Sequence, residues 1–188
     1  MNLINIHGHT IDKSLLRDGC IIDVGCRGFK FAKYFNPSRK VYCIDPDPEV
    51  FKDDLQENFE CMNVAVSDKN GESTFYRNGE MTCLCEILTP LPHLIEPCKT
   101  ISMGQIYANA TFREMVDVLK LDCEGAEYLI LGDKGFCPIP RQITVEFHKH
   151  FVPEIHKERI GQVMANVMRY YDLVYQHENG MDNLFIRR

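Results

Sequence analysis

The stretch IIDVGCRGFKFAKYF, residues 21–35, runs from an apolar segment through Asp23 into a bend holding Gly25 and Gly28, then into a helix-like pattern. A strand that enters a glycine bend and leaves it as a helix presents backbone N–H groups at the carboxyl edge of an α/β sheet. The remaining segments decide whether such a sheet exists. Apolar runs of strand length recur at 20–24, 40–45, 60–66, 116–122, 142–148, 171–176 and 183–188. Helical patterns occupy most of the gaps, at 29–35, 48–59, 127–133 and 154–171. This alternation predicts an α/β fold with a doubly wound, mostly parallel seven-stranded sheet. The last two runs flank HENGMD (177–182), whose Asn-Gly reads as the turn of a C-terminal antiparallel hairpin.

With 188 residues, 45% of them hydrophobic, the chain is long enough for one domain, 1–188, with a sizeable core. A net charge of -6 argues against a surface that neutralises many phosphates, so nucleic acid is not the expected partner. No apolar run approaches membrane-spanning length, and the N-terminus lacks a basic head followed by an apolar core. A soluble cytoplasmic protein is the resulting expectation. The nine cysteines are scattered, as suits a reducing compartment. Cys83, Cys85, His93 and Cys98 could bind zinc or be ordinary loop and core thiols, and no short C-x-x-C knuckle decides between them. The sequon at Asn109 has no secretory context, DKNGESTFY (68–76) reads as a turn followed by β-structure, and 77–110, rich in Pro, Cys and Met, reads as a loop or lid.

Ligands of open α/β sheets sit beyond the carboxyl ends of the strands, where Asp23, Asp45 and Asp122 fall. Asp23 can accept from an ammonium group or fix the loop amides, and Gly25 and Gly28 allow close approach of the backbone. Asp45, about twenty residues on, can accept both hydroxyls of a ribose. Helix capping and turn solvation are the other roles open to such acids. Together with the glycine bend they favour a nucleoside, and the spacing G-C-R-G-F-K lacks the pyrophosphate fingerprint of a nicotinamide dinucleotide.

The motifs IDVGCRG (22–28), IDPDP (44–48), NVAVSDKNGESTFY (63–76) and LKLDCEGAEYLILGD (119–133) resemble those of FkbM-family methyltransferases. The order of elements, closed by a hairpin, is similar to that of class I S-adenosylmethionine-dependent methyltransferases with their Rossmann-like sheet. The resemblance implies S-adenosylmethionine as cofactor, bound by Asp23, Gly25, Gly28 and Asp45, with Asn63 and Ala65 near the adenine; Asp122, at its strand end, is a further candidate to bind it. It further implies methyl transfer, commonly to oxygen, onto a sugar, glycan or secondary metabolite.

A hydroxyl acceptor gains from a base that takes its proton. Glu124, in the turn after the fourth strand, is the first candidate to contact the acceptor. Glu146 and His148 alternate onto one face at the end of the fifth strand, and His148 is the candidate base because a neutral imidazole is available near pH 7. Asp122, Glu124, Glu146 and His148 could instead hold a divalent metal, or Glu146 and His148 could serve only to hold neighbouring loops. A non-catalytic binding or regulatory protein that keeps the fold is the rival from another class.

Overall fold

The computed structural model describes residues 1–52, 55–78, 81–84, 94–108, 115–132, 136, 138–149 and 153–188. The chain opens with an antiparallel hairpin, β1 (Leu3–Ile6) and β2 (His9–Asp12). His7 and Gly8, with φ of 48° and 95°, form its mirror-image turn, which matches the twist of paired strands. Next come β3 (Cys20–Val24), β4 (Val41–Ile44) and β5 (Phe59–Met62), then β6 (Ala65–Ser67), β7 (Gly71–Asn78), β8 (Met81–Cys83) and β9 (Leu94–Ser102). Helix α1 (Met103–Ala108), β10 (Val116–Leu121), α2 (Glu127–Gly132), β11 (Gln142–Glu146), α3 (Pro153–Val167), β12 (Tyr171–Gln176) and β13 (Asp182–Arg187) complete the order.

The seven apolar runs of the sequence become one mixed sheet in the order β12-β13-β11-β10-β3-β4-β5. Strands β11, β10, β3, β4 and β5 run parallel, and β13 is antiparallel to both its neighbours, closing the expected hairpin. Every residue of β3, β4 and β10 is buried, which is why these strands read as mostly apolar runs, broken only by Asp23, Asp117 and Lys120, instead of alternating ones. Ile22, Val24, Leu119 and Leu121 pack towards α1, α2 and α3; Ile21, Val41, Cys43 and Val118 pack in a second core with Ile11, Phe29, Phe31 and Phe35.

Among the described residues, that second core departs from the helical layer expected of a doubly wound sheet. In their described residues, segments 29–35 and 48–59 carry single 3-10 turns, at Arg27–Phe29, Ala32–Tyr34 and Pro48–Phe51, in place of the expected α-helices. Positive φ at Gly28 (72°) and Phe29 (53°) interrupts any helix there, and the buried rings of Phe29, Phe31 and Phe35 fill the space beneath the sheet. The described residues of 77–110 include β8, β9 and α1, and β9 pairs with β6 and β7 in a four-stranded sheet ordered β6-β9-β7-β8. Strong β-formers in 94–102 were outweighed in the sequence reading by the prolines around them. Cys85, His93, the side chain of Cys83 and the sequon lie outside the described residues. Cys20, Cys26, Cys43, Cys61, Cys98 and Cys123 are not in disulfide bonds. Among the described residues no helix is long and apolar enough to cross a membrane.

Candidate active site

The parallel pairing of β10, β3 and β4 puts Asp23, Asp45 and Asp122 at one edge of the sheet. A cleft of about 310 Å³ opens there, lined by Gly25, Arg27, Asp45, Pro46, Val64, Ala65, Asp122 and Glu124 among others. Its size is that of a small-molecule site. Gly25 is sterically obligatory: its φ is 75°, and a Cβ would stand 1.6 Å from the carbonyl oxygen of Asp122. The bend after β3 thus presses directly on the end of β10. Gly28 instead supports the turn at Arg27–Phe29 and does not line the cleft.

Asp45 is buried, and one carboxylate oxygen accepts from the backbone N–H of Asp47 at 2.9 Å. Burial pushes its pKa up to about 6, against the hydrogen bond from Asp47 and the charge of Arg27. The fully buried Asp47 pairs with Arg27 and, at 3.2 Å, with Arg77, so the mouth of the cleft is tied to β7. Asn63 does not line the cleft; its amide donates to the carbonyl oxygens of Asp45 (3.1 Å) and Pro46 (2.8 Å) and braces that loop. Ala65, the first residue of β6, does line it.

A smaller second cleft, about 200 Å³, shares Gly25, Arg27 and Asp122 with the first and adds His9, Asp23, Lys30, Phe31 and Lys120. Lys120, buried in β10, donates to the Gly25 carbonyl at 2.6 Å and pairs with Asp23 (3.0 Å) and Asp122 (3.2 Å). Burial alone would lower the lysine's pKa, but the two aspartates raise it well above its usual value. Reciprocally, Asp122 lies well below the carboxylate range, because Lys120 and His9 outweigh its burial. Asp23 is raised, its burial outweighing Lys120.

On the far side of Asp122 the structure brings together Glu124, Glu146 and His148. His148 Nε2 is 3.3 Å from Glu124, 3.6 Å from Asp122 and 3.7 Å from Glu146, and Nδ1 is 3.0 Å from Glu127. Glu127, at the start of α2, is fully buried and accepts from the N–H groups of Cys123 (2.7 Å) and Gly125 (2.9 Å). It therefore fixes both the turn and the imidazole. Glu124 occupies that turn with φ of 52°, a left-handed conformation unusual for a side chain of its size and common at functional sites. Burial and the charges of Asp122, Glu127 and Glu146 push its pKa up to about 7, against His148. Burial would lower His148, but the hydrogen bond to Glu127 and the surrounding carboxylates raise it to about 9. His9, Asp122 and Glu146, and likewise Asp122, Glu124 and His148, lie within reach of one cation. In this arrangement Lys120 and a protonated His148 supply the positive charge that these carboxylates face.

Three participants escaped the sequence reading. Lys120 carries one signal in the sequence, a lysine inside an otherwise mostly apolar strand. Arg27 was visible only as an interruption of the glycine spacing, and His9 carried no local signal.

Fold and site define an α/β protein with a small-molecule cleft at the carboxyl ends of its central strands, floored by a glycine bend and walled by carboxylates. A profile described as the Methyltransferase FkbM domain matches residues 24–176, most of the chain, and the chain belongs to that family. Comparison with curated proteins and with solved structures gives no match.

Proposed function

We propose that this protein transfers the methyl group of S-adenosylmethionine to a hydroxyl oxygen of a small acceptor, a sugar, glycan or secondary metabolite. One observation carries the reading: a single cleft holds a buried carboxylate suited to a ribose, Asp45, and a carboxylate titrating near neutrality, Glu124. The cofactor supplies an electrophilic methyl group. The protein then has to hold the two reactants in line and remove one proton.

The residues present fit that cofactor. Gly25 lets the bend after β3 close against the end of β10 beside the cleft, Asp45 can accept the ribose hydroxyls, and Val64 and Ala65 offer apolar surface to a base. In the adjoining cleft, the buried Asp23 beside Arg27 and Lys30 suits an ammonium and a carboxylate respectively, the two ends of an amino acid. No glycine-flanked run of amides meets a pyrophosphate, which disfavours a dinucleotide.

For proton removal, Glu124 is better matched than His148. An imidazole with its pKa near 9 is protonated at neutral pH and has no lone pair to offer, whereas a carboxylate near 7 is poised between its two forms. His148, clamped by Glu127, instead holds a positive charge against Glu124 and Glu146. The test is incubation with methyl-labelled S-adenosylmethionine and a panel of saccharides and hydroxylated metabolites. Label on an acceptor oxygen, lost in Glu124→Gln, supports the reading. Cofactor binding with no transfer across the panel favours the non-catalytic alternative, and label on nitrogen overturns the hydroxyl assignment.

A further inference from the structure

Residues 1–23 precede the stretch matched by the family profile, and they include the β1–β2 hairpin. The hairpin is fastened to the sheet. Gln142 of β11 accepts from the N–H of Asp12 at 2.8 Å and donates to its carbonyl at 3.2 Å, both bonds buried. The Asp12 carboxylate in turn accepts from the N–H groups of Asn2 and Ser14, each at 2.9 Å. All four residues of β2 are buried as a result.

This anchoring delivers His9 to the carboxyl edge of the sheet. Its imidazole is 2% exposed, stands edge-on to Phe31 with ring centroids 5.8 Å apart, and places Nε2 3.3 Å from Asp122 Oδ2. The other ring nitrogen, Nδ1, is buried with no hydrogen-bond partner. An apolar ring would pack against Phe31 without leaving a desolvated nitrogen unmet, so what the imidazole adds is its bond to Asp122. Asp122 lines both clefts, and its other oxygen, Oδ1, faces His148. The rotation of this one carboxylate therefore shapes the cofactor side and the acceptor side together.

We propose that His9 is a positioning residue of the transfer site: Nε2–H donates to Asp122 Oδ2 beside Lys120 and fixes the carboxylate's rotation, leaving Oδ1 turned towards His148. A segment outside the family-matched residues thereby completes the site. The proposal rests on the reading of the cleft as a site for S-adenosylmethionine.

The experiment is calorimetric titration of S-adenosylmethionine into wild type, His9→Ala, His9→Gln, His9→Phe, Asp122→Asn and the double variant His9→Ala/Asp122→Asn, each checked for folding by thermal melt. Loss of a hydrogen bond to a charged group predicts weakening of about tenfold in His9→Ala, and His9→Gln, which keeps a donor near Nε2, recovers most of it. In the Asp122→Asn background the same substitution changes affinity by less than about threefold, because the carboxylate through which His9 acts is gone. Wild-type affinity in folded His9→Ala overturns the proposal, as does an equal loss in both backgrounds, which would make the role one of packing. If His9→Ala unfolds, His9→Phe keeps the ring volume without the donor, and full affinity in that variant also overturns it. Absence of saturable binding to wild type removes the cofactor reading and this proposal with it; binding by wild type that is indifferent to His9 removes the proposal alone.

Discussion

Asp45 and Glu124 are both carboxylates raised by burial, and their different surroundings give them different tasks. Asp45 must be ionised to accept two ribose hydroxyls. With its pKa at about 6, cofactor affinity is expected to be flat above pH 7 and to fall below pH 6, approaching tenfold per unit as the protonated form takes over. Asp45→Asn removes the dependence and costs about 1 to 3 kcal/mol of binding, read by titration at pH 5.5 and 8. For turnover the sign works twice. Glu124 must lose its proton, so kcat rises with pH through about 7; His148 must keep its proton, so kcat declines above about 9. Since the two groups touch, these limbs belong to the pair. Glu124→Gln should lower turnover by about a hundredfold or more, leave the residual rate without the acidic limb, and keep cofactor affinity within about threefold of wild type. Asp45, Gly25 and Glu124 were legible in sequence because polar residues and glycines that directly follow an apolar run fall at strand ends. His9 was not, because its meaning comes from a carboxylate 113 residues away.

At the scale of elements, the amino ends of the same strands hold stability in place of chemistry. Asp117 of β10 is fully buried and joins Arg39 (2.6 Å) ahead of β4 to Arg141 (3.1 Å) ahead of β11, while accepting from the N–H of Arg17 at 2.6 Å. Asp117→Asn leaves two partly buried guanidinium groups without their counter-charge. It is expected to cost about 2 to 4 kcal/mol, seen as a thermal midpoint lower by roughly 5 to 15 °C with cofactor affinity of the surviving fold unchanged. The elements read correctly from sequence were those with a simple cause: β3, β4 and β10 are apolar but for Asp23, Asp117 and Lys120, and α3 begins at Pro153 and has Gly161 as the one weak helix former in its interior. The crossovers misled because Phe29, Phe31 and Phe35 imitate one apolar helix face, although they fill a core between short turns. The β1–β2 hairpin misled for a different reason: its four-residue strands are too short to show a period, and His-Gly is a weak turn signal beside Asn-Gly.

The whole molecule divides its labour across the sheet. Helices α2 and α3 cover one face, the N-terminal hairpin and the phenylalanine turns cover the other, and the carboxyl edge between them gathers groups from β2, β3, β4, β10 and β11. The succession of strands along the chain was legible from the apolar runs, whereas their order in the sheet, β12-β13-β11-β10-β3-β4-β5, depends on crossovers that carry no such signal. The partnership of His9, Lys120 and Asp122 was not legible either, since it depends on how the hairpin is laid across β11. The central claim is that this edge holds a sulfonium nucleoside. Calorimetric titration of the wild-type protein with S-adenosylmethionine and S-adenosylhomocysteine, with NAD as control, tests it most directly. The account predicts saturable binding of the first two at one site, with affinity falling below pH 6, and no binding of NAD. A folded protein that binds neither adenosyl ligand, or that binds NAD in their place, would contradict it.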